Sequence, residues 1–264
     1  MDRTLVMGIL NVTPDSFADG GKYDNFENAI KRANQMISEE VDIIDVGGES
    51  TRPGSSPVSL ETELDRTVPL ITELASMGAM VSIDTTKFEV AQAAIAAGAK
   101  YVNDVSGGLA DPRIRKLIAI NPEIQIVISH WRGPSKDMQS KANYEDLISE
   151  VKSELEKSID NFLKAGVNLD QIIVDPGLGF AKNAEHNWEI LRNIERFELL
   201  GFPILIGASR KRFLGDLVGA TQPDDREAAT IALTALLAQR GVWGVRVHSV
   251  KPHRDAIAVA QELF

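Results

Sequence analysis

Short apolar runs rich in β-formers alternate with longer amphipathic stretches along the whole chain, and this alternation limits the folds open to it more than any other feature. Eight runs read as strands: Leu5–Leu10, Val41–Val46, Met80–Asp84, Tyr101–Asn103, Ile124–Ser129, Gln171–Asp175, Pro203–Gly207 and Val242–His248. The stretches between and after them read as helices over Phe26–Glu39, Leu60–Ser76, Glu89–Ala97, Asp111–Ile120, Tyr144–Ala165, Glu185–Leu199, Arg226–Gln239 and Pro252–Leu263. Successive strands start roughly 20 to 50 residues apart, which leaves room for a βαβ unit at each step. Eight such units predict the α/β class and a single (β/α)8 TIM barrel. A doubly wound open sheet has the same periodicity and is the structural alternative. Helix punctuation agrees: Gly98, Gly166 and Gly241 each follow a helix, and Asp224-Asp225 precedes one.

The 264 residues match the ~250 of a typical barrel, and no Pro-rich or low-complexity linker divides them, so residues 1–264 are expected to form one domain. The loops after strands 1 and 2 are expected to be long and mobile. Gly47–Ser59 and Arg132–Asn143 are polar enough to act as lids. The chain has no cysteine, which excludes a disulfide scaffold, a thiolate nucleophile and Cys-ligated metal centres. A net charge of −10 argues against the nucleic-acid backbone as a partner. No apolar run approaches the ~18 residues of a membrane span, and Leu5–Leu10 is too short for a signal sequence, so a cytoplasmic protein is expected.

What ends each apolar run points to chemistry. The strands finish at or just before Asn11, Asp45, Asp84, Asn103-Asp104, His130, Asp175 and Ser209-Arg210-Lys211, and the eighth contains Arg246 and His248. One such residue alone is more often a cap or turn former. Eight polar ends converging on one barrel face favour a substrate site. Asp84, Asn103, Asp175 and Lys211 offer donors and acceptors suited to the edge of a polar heterocycle. Arg246 and His248, two apart on a strand, face the same side and with Asn11 suit a phosphate group. Asn11 could also give an oxygen to Mg²⁺. For Lys211 and Arg212 the competing reading is a solvated basic patch, which Ser209 directly behind Ile204–Gly207 argues against.

Other motifs fail. Gly177-Leu178-Gly179-Phe180 lacks the third glycine of a dinucleotide fingerprint, and Gly20-Gly21 has no following Gly-Lys-Ser/Thr. His130, His186, His248 and His253 form no close pair for zinc. No Gly-x-Ser-x-Gly elbow surrounds Ser129 or Ser249. Trp188 and Trp243 are expected to pack rather than stack on a ligand, and His186 to lie on a helix surface.

Taken together, Met7-Gly8-Ile9-Leu10-Asn11-Val12-Thr13-Pro14-Asp15-Ser16-Phe17, Asp45-Val46-Gly47-Gly48-Glu49-Ser50-Thr51-Arg52-Pro53-Gly54, Ser82-Ile83-Asp84-Thr85, Asn103-Asp104-Val105, Asp175-Pro176-Gly177-Leu178-Gly179-Phe180, Gly207-Ala208-Ser209-Arg210-Lys211 and Arg246-Val247-His248 resemble the bacterial dihydropteroate synthases along essentially the whole chain. That resemblance implies a TIM-barrel homodimer that joins 6-hydroxymethyl-7,8-dihydropterin pyrophosphate to 4-aminobenzoate, releasing pyrophosphate and 7,8-dihydropteroate. It implies that Asp84, Asn103, Asp175, Phe180 and Lys211 hold the pterin, and that Asn11, Arg246 and His248 bind the pyrophosphate with Mg²⁺ beside Asn11. It further implies that loops bearing Asp15, Phe17, Asp19, Thr51, Arg52 and Pro53 close over 4-aminobenzoate with Ser209 and Lys211, and that sulfonamides compete there. Asp84, Lys211, Arg246 and His248 are the implied catalytic groups.

Three positions depart from the family pattern: Ser129-His130-Trp131-Arg132 in place of a Met-His-Met run, Ser249 where Asp is common, and Ala18 in place of a serine. The alternatives are a pterin-dependent methyltransferase domain, which needs neither pyrophosphate ligands nor closing loops, and a non-catalytic pterin-binding paralogue.

Overall fold

The computed structural model describes residues 3–13, 22–50, 54–134 and 136–263, with the backbone alone at 22–25. In chain order the main elements are β1 (Leu5–Asn11), α1 (Lys22–Ser38), β2 (Ile43–Gly47), α2 (Leu60–Ser76), β3 (Val81–Asp84), α3 (Phe88–Ala96), β4 (Tyr101–Asp104), α4 (Arg113–Ala119), β5 (Gln125–Ser129), α5 (Leu147–Lys164), β6 (Ile172–Asp175), α6 (Ala184–Arg192), α7 (Ile194–Glu198), β7 (Leu205–Ile206), α8 (Arg212–Val218), α9 (Glu227–Gln239), β8 (Gly244–Val247) and α10 (Lys251–Leu263). The strands are all parallel, in the order β6-β5-β4-β3-β2-β1-β8-β7. A parallel bridge between Val174 and Ile204 joins β6 to the chain entering β7 and completes the ring. The barrel forms as expected, and the open sheet does not.

Both faces of each strand are covered, which is why the strands read as nearly continuous apolar runs. Outside the ring, Ile44, Val46, Val81 and Ile83 pack against the helices, Leu70, Ile71 and Leu74 of α2 among them, all fully buried. Each such side chain contributes about 1.5–3 kcal/mol. Inside the ring, Met7, Ile43, Val127, Ile173 and Leu205 form a separate apolar plug with Tyr101 and Trp243 against it. Because side chains alternate along a strand, the next inward positions above Met7 are Ile9 and Asn11, and those above Ile43 are Asp45 and Gly47. The barrel interior is therefore apolar at its N-terminal end and polar at its C-terminal end, where the site lies.

Local capping explains most helix limits. Ser59 accepts from Thr62 N at 3.1 Å at the start of α2, and Asp146 accepts from Ser149 N at 3.1 Å at the start of α5. Two differences from the sequence reading have local causes. The helix expected over Glu185–Leu199 breaks at Asn193, whose side-chain amide turns back to Glu189 O at 2.8 Å and whose backbone leaves the helical region. The segment after Lys211, to which the sequence reading assigns no element, makes the short helix α8. Asp224 and Asp225 lie in a 3-10 turn before α9 and give it no side-chain cap. Trp188 packs edge-on against Phe213 at 5.0 Å, and Trp243 lies 6.4 Å from Tyr101, both as packing residues. Among the described residues no helix is long and apolar enough to cross a membrane.

Candidate active site

The C-terminal ends of the strands surround a cavity of about 1180 Å³ whose lining includes Asn11, Asn103, Asp175, Phe180, Ser209, Lys211, Arg246 and His248. Eight of the residues singled out from sequence thus share one space. Asp84 is not among the lining residues but lies 2.7 Å from one of them, Arg246. Asp15, Phe17, Asp19, Thr51, Arg52 and Pro53, expected in the closing loops, lie outside the described residues.

The centre of the floor is an ionic cluster. Arg246 on β8 donates Nε to Asp45 Oδ2 at 2.6 Å and Nη2 to Asp84 Oδ2 at 2.7 Å. Asn103 on β4 donates its amide to the same Asp45 oxygen at 3.0 Å, which turns the amide oxygen of Asn103 away from Asp45. The other oxygens, Asp45 Oδ1 and Asp84 Oδ1, are buried and make no hydrogen bond among the described residues, as is true of Ser82 Oγ. Buried acceptors without donors are rare and call for a partner that the described residues do not supply. Burial pushes the Asp84 carboxyl up to about 7 against the pull of Arg246, with Asp45 adding to the rise.

On the opposite wall, β6 ends in Asp175, whose Oδ1 accepts Gly177 N at 2.7 Å. Burial raises its pKa, while Lys211 and that amide oppose the rise. Lys211 reaches back over the mouth, donates to Leu178 O, and holds its ammonium 5.1 Å from the Phe180 ring centre. Burial brings its pKa down to about 8, with Asp175 working the other way. Arg212, its neighbour, points out with a side chain 88% exposed. The solvated-patch reading therefore holds for Arg212 and fails for Lys211. Between these walls lies Gly207, where an added Cβ would stand 3.7 Å from Asp175 Oδ2 and 3.9 Å from both Lys211 Nζ and the Arg246 Cβ. The missing side chain leaves a flat gap lined by both charges.

At the rim, Ser209 Oγ and His248 Nδ1 are 2.9 Å apart, and Ser209 Oγ also accepts His248 N at 3.2 Å. Asn11 ends β1 beside Gly47, where a Cβ would come within 2.9 Å of its Oδ1. The bare backbone of Gly47 leaves room for that amide. Among the described residues no group of three or more His, Cys, Asp or Glu is arranged to hold a metal. The described donor set does not fit a resident metal held by those residues alone. A hydrated cation such as Mg²⁺ would need only one protein oxygen, and Asn11 Oδ1 has the chemistry to give it.

Sequence reasoning placed Asp45 at a strand end without giving it a role. The signal available was parity: Asp45 lies two residues from Ile43 on the inward side, so its carboxylate had to meet the barrel interior. Lys182, which is 3% exposed and also lines the cavity, was missed. Its only hint was a lysine two residues beyond Phe180 in a loop otherwise free of charge after Asp175.

A family model described as pterin binding enzyme matches residues 7–248. The dihydropteroate synthase of Mycobacterium leprae is 47% identical over 260 residues, covering 96% of this chain and 91% of its own. A Clostridium difficile dihydropteroate synthase solved in the presence of pteroic acid superposes with a TM-score of 0.93 at 39% identity, over 99% of this chain and 97% of the other. The Xanthomonas albilineans dihydropteroate synthase in complex with 7,8-dihydropteroate gives a TM-score of 0.88 at 37% identity, over 99% and 94% of the two chains.

Proposed function

The chain belongs to the pterin-binding enzymes and, within them, to the dihydropteroate synthases, and from that premise we propose how its barrel mouth joins 6-hydroxymethyl-7,8-dihydropterin pyrophosphate to 4-aminobenzoate. The observation that carries the reading is the set of unpaired acceptors on the floor opposite a buried ammonium. A pterin edge presents N–H donors beside a ring carbonyl. Asp84 Oδ1, which has no partner among the described residues, Asp175 Oδ2 facing Gly207 and the amide oxygen of Asn103 accept from the former, and Lys211 donates to the latter. Phe180 packs on the ring, and Gly207 leaves the space it occupies.

Asn11, His248 and Arg246 meet the pyrophosphate. Arg246 has to divide its guanidinium between the leaving group and the carboxylates beneath it, so it joins the two halves of the substrate site. Mg²⁺, when bound with the pyrophosphate, supplies positive charge against the negative charge that grows as the leaving group departs. Departure breaks the bond between the methylene carbon and oxygen and leaves a positive charge delocalised into the ring. Asp84, ionised and buried, stabilises that charge at a fixed position. The amine of 4-aminobenzoate then attacks the methylene carbon and loses its proton. Ser209 and Lys211, with the loops bearing Asp15, Phe17, Asp19, Thr51, Arg52 and Pro53, hold this second substrate and exclude water that would capture the cation. No nucleophile of the chain is needed, in keeping with the absence of cysteine.

We also propose a cytoplasmic homodimer, for which Leu217 and Val218 on α8 and Leu236 on α9 offer exposed apolar side chains. Sedimentation tests the dimer. The reaction is tested by mixing purified protein with both substrates and Mg²⁺ and following dihydropteroate and pyrophosphate. Stoichiometric formation of both is expected, and a folded protein that forms neither overturns the reading.

A further inference from the structure

Beside Asp175 and Lys211, and reaching the cavity lining at Lys182, is a second charged assembly to which the reaction assigns no role. Lys182 is buried, and its ammonium donates to His130 Nδ1 at 2.7 Å, Gly177 O at 3.0 Å and Phe180 O at 3.1 Å. His130 Nε2 meets Glu154 Oε2 on α5 at 2.9 Å. Arg132 holds Glu154 through Nε at 3.0 Å and Nη2 at 2.6 Å, and Glu150 through Nη2 at 2.7 Å. The tautomer follows from the partners. An ionised Glu154 needs a donor, so Nε2 carries the proton and Nδ1 is left to accept from Lys182. Three acceptors converge on Lys182, and of the two forms of an amine only an ammonium has three N–H groups to give; these bonds and Asp175 favour that form against burial, which pulls the pKa well down.

We propose that Lys182 is a positioning residue for the pterin, held by the Arg132–Glu154–His130 chain and acting through the turn from Asp175 to Lys182. The proposal rests on the assignment of Asp175, Phe180 and Lys211 to the pterin. The turn is tightly wound: Gly177 has φ +70° and lies so close to β5 that a Cβ would stand 2.4 Å from His130 O, and Ala181 has φ +48°. Lys182 fixes the carbonyls at two points of this turn, Gly177 and Phe180. Between those points lies Leu178, whose carbonyl takes Lys211, and at the second is the ring over which Lys211 sits. At the other end Gly177 N is bonded to Asp175. Every handle by which the turn places the two charges of the pterin wall lies within one or two residues of a Lys182 bond. The pyrophosphate groups Asn11 and His248 are carried by β1 and by the chain following β8, which make none of these bonds.

The test is calorimetric binding of 6-hydroxymethylpterin and, separately, inorganic pyrophosphate to Lys182→Met and Glu154→Ala. Glu154 is partly exposed on α5 and outside the cavity lining, so its variant keeps the test open if Lys182→Met does not fold. Pterin affinity is expected to fall about 10-fold in Lys182→Met and about 3-fold in Glu154→Ala, because small displacements of binding groups are costly. Pyrophosphate affinity is expected to stay within about 2-fold in both. Unchanged pterin affinity, or equal losses for the two ligands, overturns the proposal. Wild-type turnover measured alongside separates this from the reading of the reaction: a failure to form dihydropteroate counts against that reading, while the pterin affinities still decide the role of Lys182.

Discussion

Arg246 lies across Asp84 with Nη2 2.7 Å from Oδ2, so the carboxylate expected to stabilise the reacting cation is already half neutralised before substrate arrives. Burial sets its titration near neutrality, at about 7, and that of Lys211 at about 8. Below the first value Asp84 is protonated and loses both its charge and an acceptor. Above the second, Lys211 loses a donor. The free-enzyme profile, kcat/KM for the pterin substrate, is therefore expected to rise through about pH 7 and fall beyond about pH 8. Lys211→Arg removes the basic limb. A flat profile from about pH 6 to about 9 would contradict the assignment.

Asp45 holds Arg246 and Asn103 with a single oxygen. In Asp45→Asn the charge is gone, and the amide can present N–H where both partners need an acceptor. A fall of about 100-fold in kcat/KM is expected, from misplacement rather than from lost contact with substrate. Thermal stability should hold or rise, because one of two buried carboxylates facing a single guanidinium has been neutralised. Steady-state kinetics and a melting curve on the same preparation check this; normal kinetics would leave Asp45 a packing residue.

Neighbours in sequence give opposite expectations at Lys211 and Arg212. Lys211→Ala removes the ammonium from the pterin wall and is expected to cost more than about 100-fold in kcat/KM. Arg212→Ala, at a side chain 88% exposed and 3.7 Å from Asp216, should change it less than about 2-fold. Comparable losses in the two variants would return the segment to a plain basic patch.

A methyl group at Gly207 meets only ordinary contacts of 3.7–3.9 Å. Gly207→Ala should melt within a few degrees of the parent, yet bind 6-hydroxymethylpterin at least about 10-fold more weakly because the methyl occupies the gap. Unaltered pterin affinity by calorimetry would move the ring elsewhere in the cavity.

His130 gives a stability signature of its own. Burial and Lys182 lower its pKa to about 4 from 6.5, with Glu154 opposing. Between those values the unfolded chain binds a proton that the folded protein refuses, so stability is full above about pH 6.5 and falls as pH drops toward about 4. The loss attributable to this one group is at most roughly 3 kcal/mol. Denaturant unfolding of the wild type and His130→Asn across that window isolates it: the wild type should lose stability more steeply, and parallel curves would exclude the burial of a neutral imidazole.

The barrel was legible in the sequence because the strand runs are largely apolar and polar residues gather at or just beyond their C-terminal ends. Those two facts come from burial between layers and from convergence at one mouth, and both leave marks on single residues. The Asn193 break was not legible, because an asparagine inside a helical pattern gives the same letters whether its amide faces solvent or turns back to Glu189. Nor could the sequence separate Lys211 from Arg212, since which of two adjacent cations turns inward is settled by the Leu178 carbonyl and Phe180, about thirty residues away. Asp45 and Lys182 were hidden for a related reason. Their partners, Arg246 and His130, are distant in sequence and become neighbours only when the ring closes.

The ring itself closes most weakly where β6 meets the two-residue β7, through the Val174–Ile204 bridge. Asp175 stands on one side of that seam and Lys211 on the other. A pterin held by both acts as a rung that the backbone there lacks, so occupancy should suppress local opening of the ring. Amide hydrogen exchange at Val174, Leu205 and Ile206 would then slow on ligand binding out of proportion to the rest of the sheet, which makes the gap between these two strands an internal gauge of whether the mouth is filled.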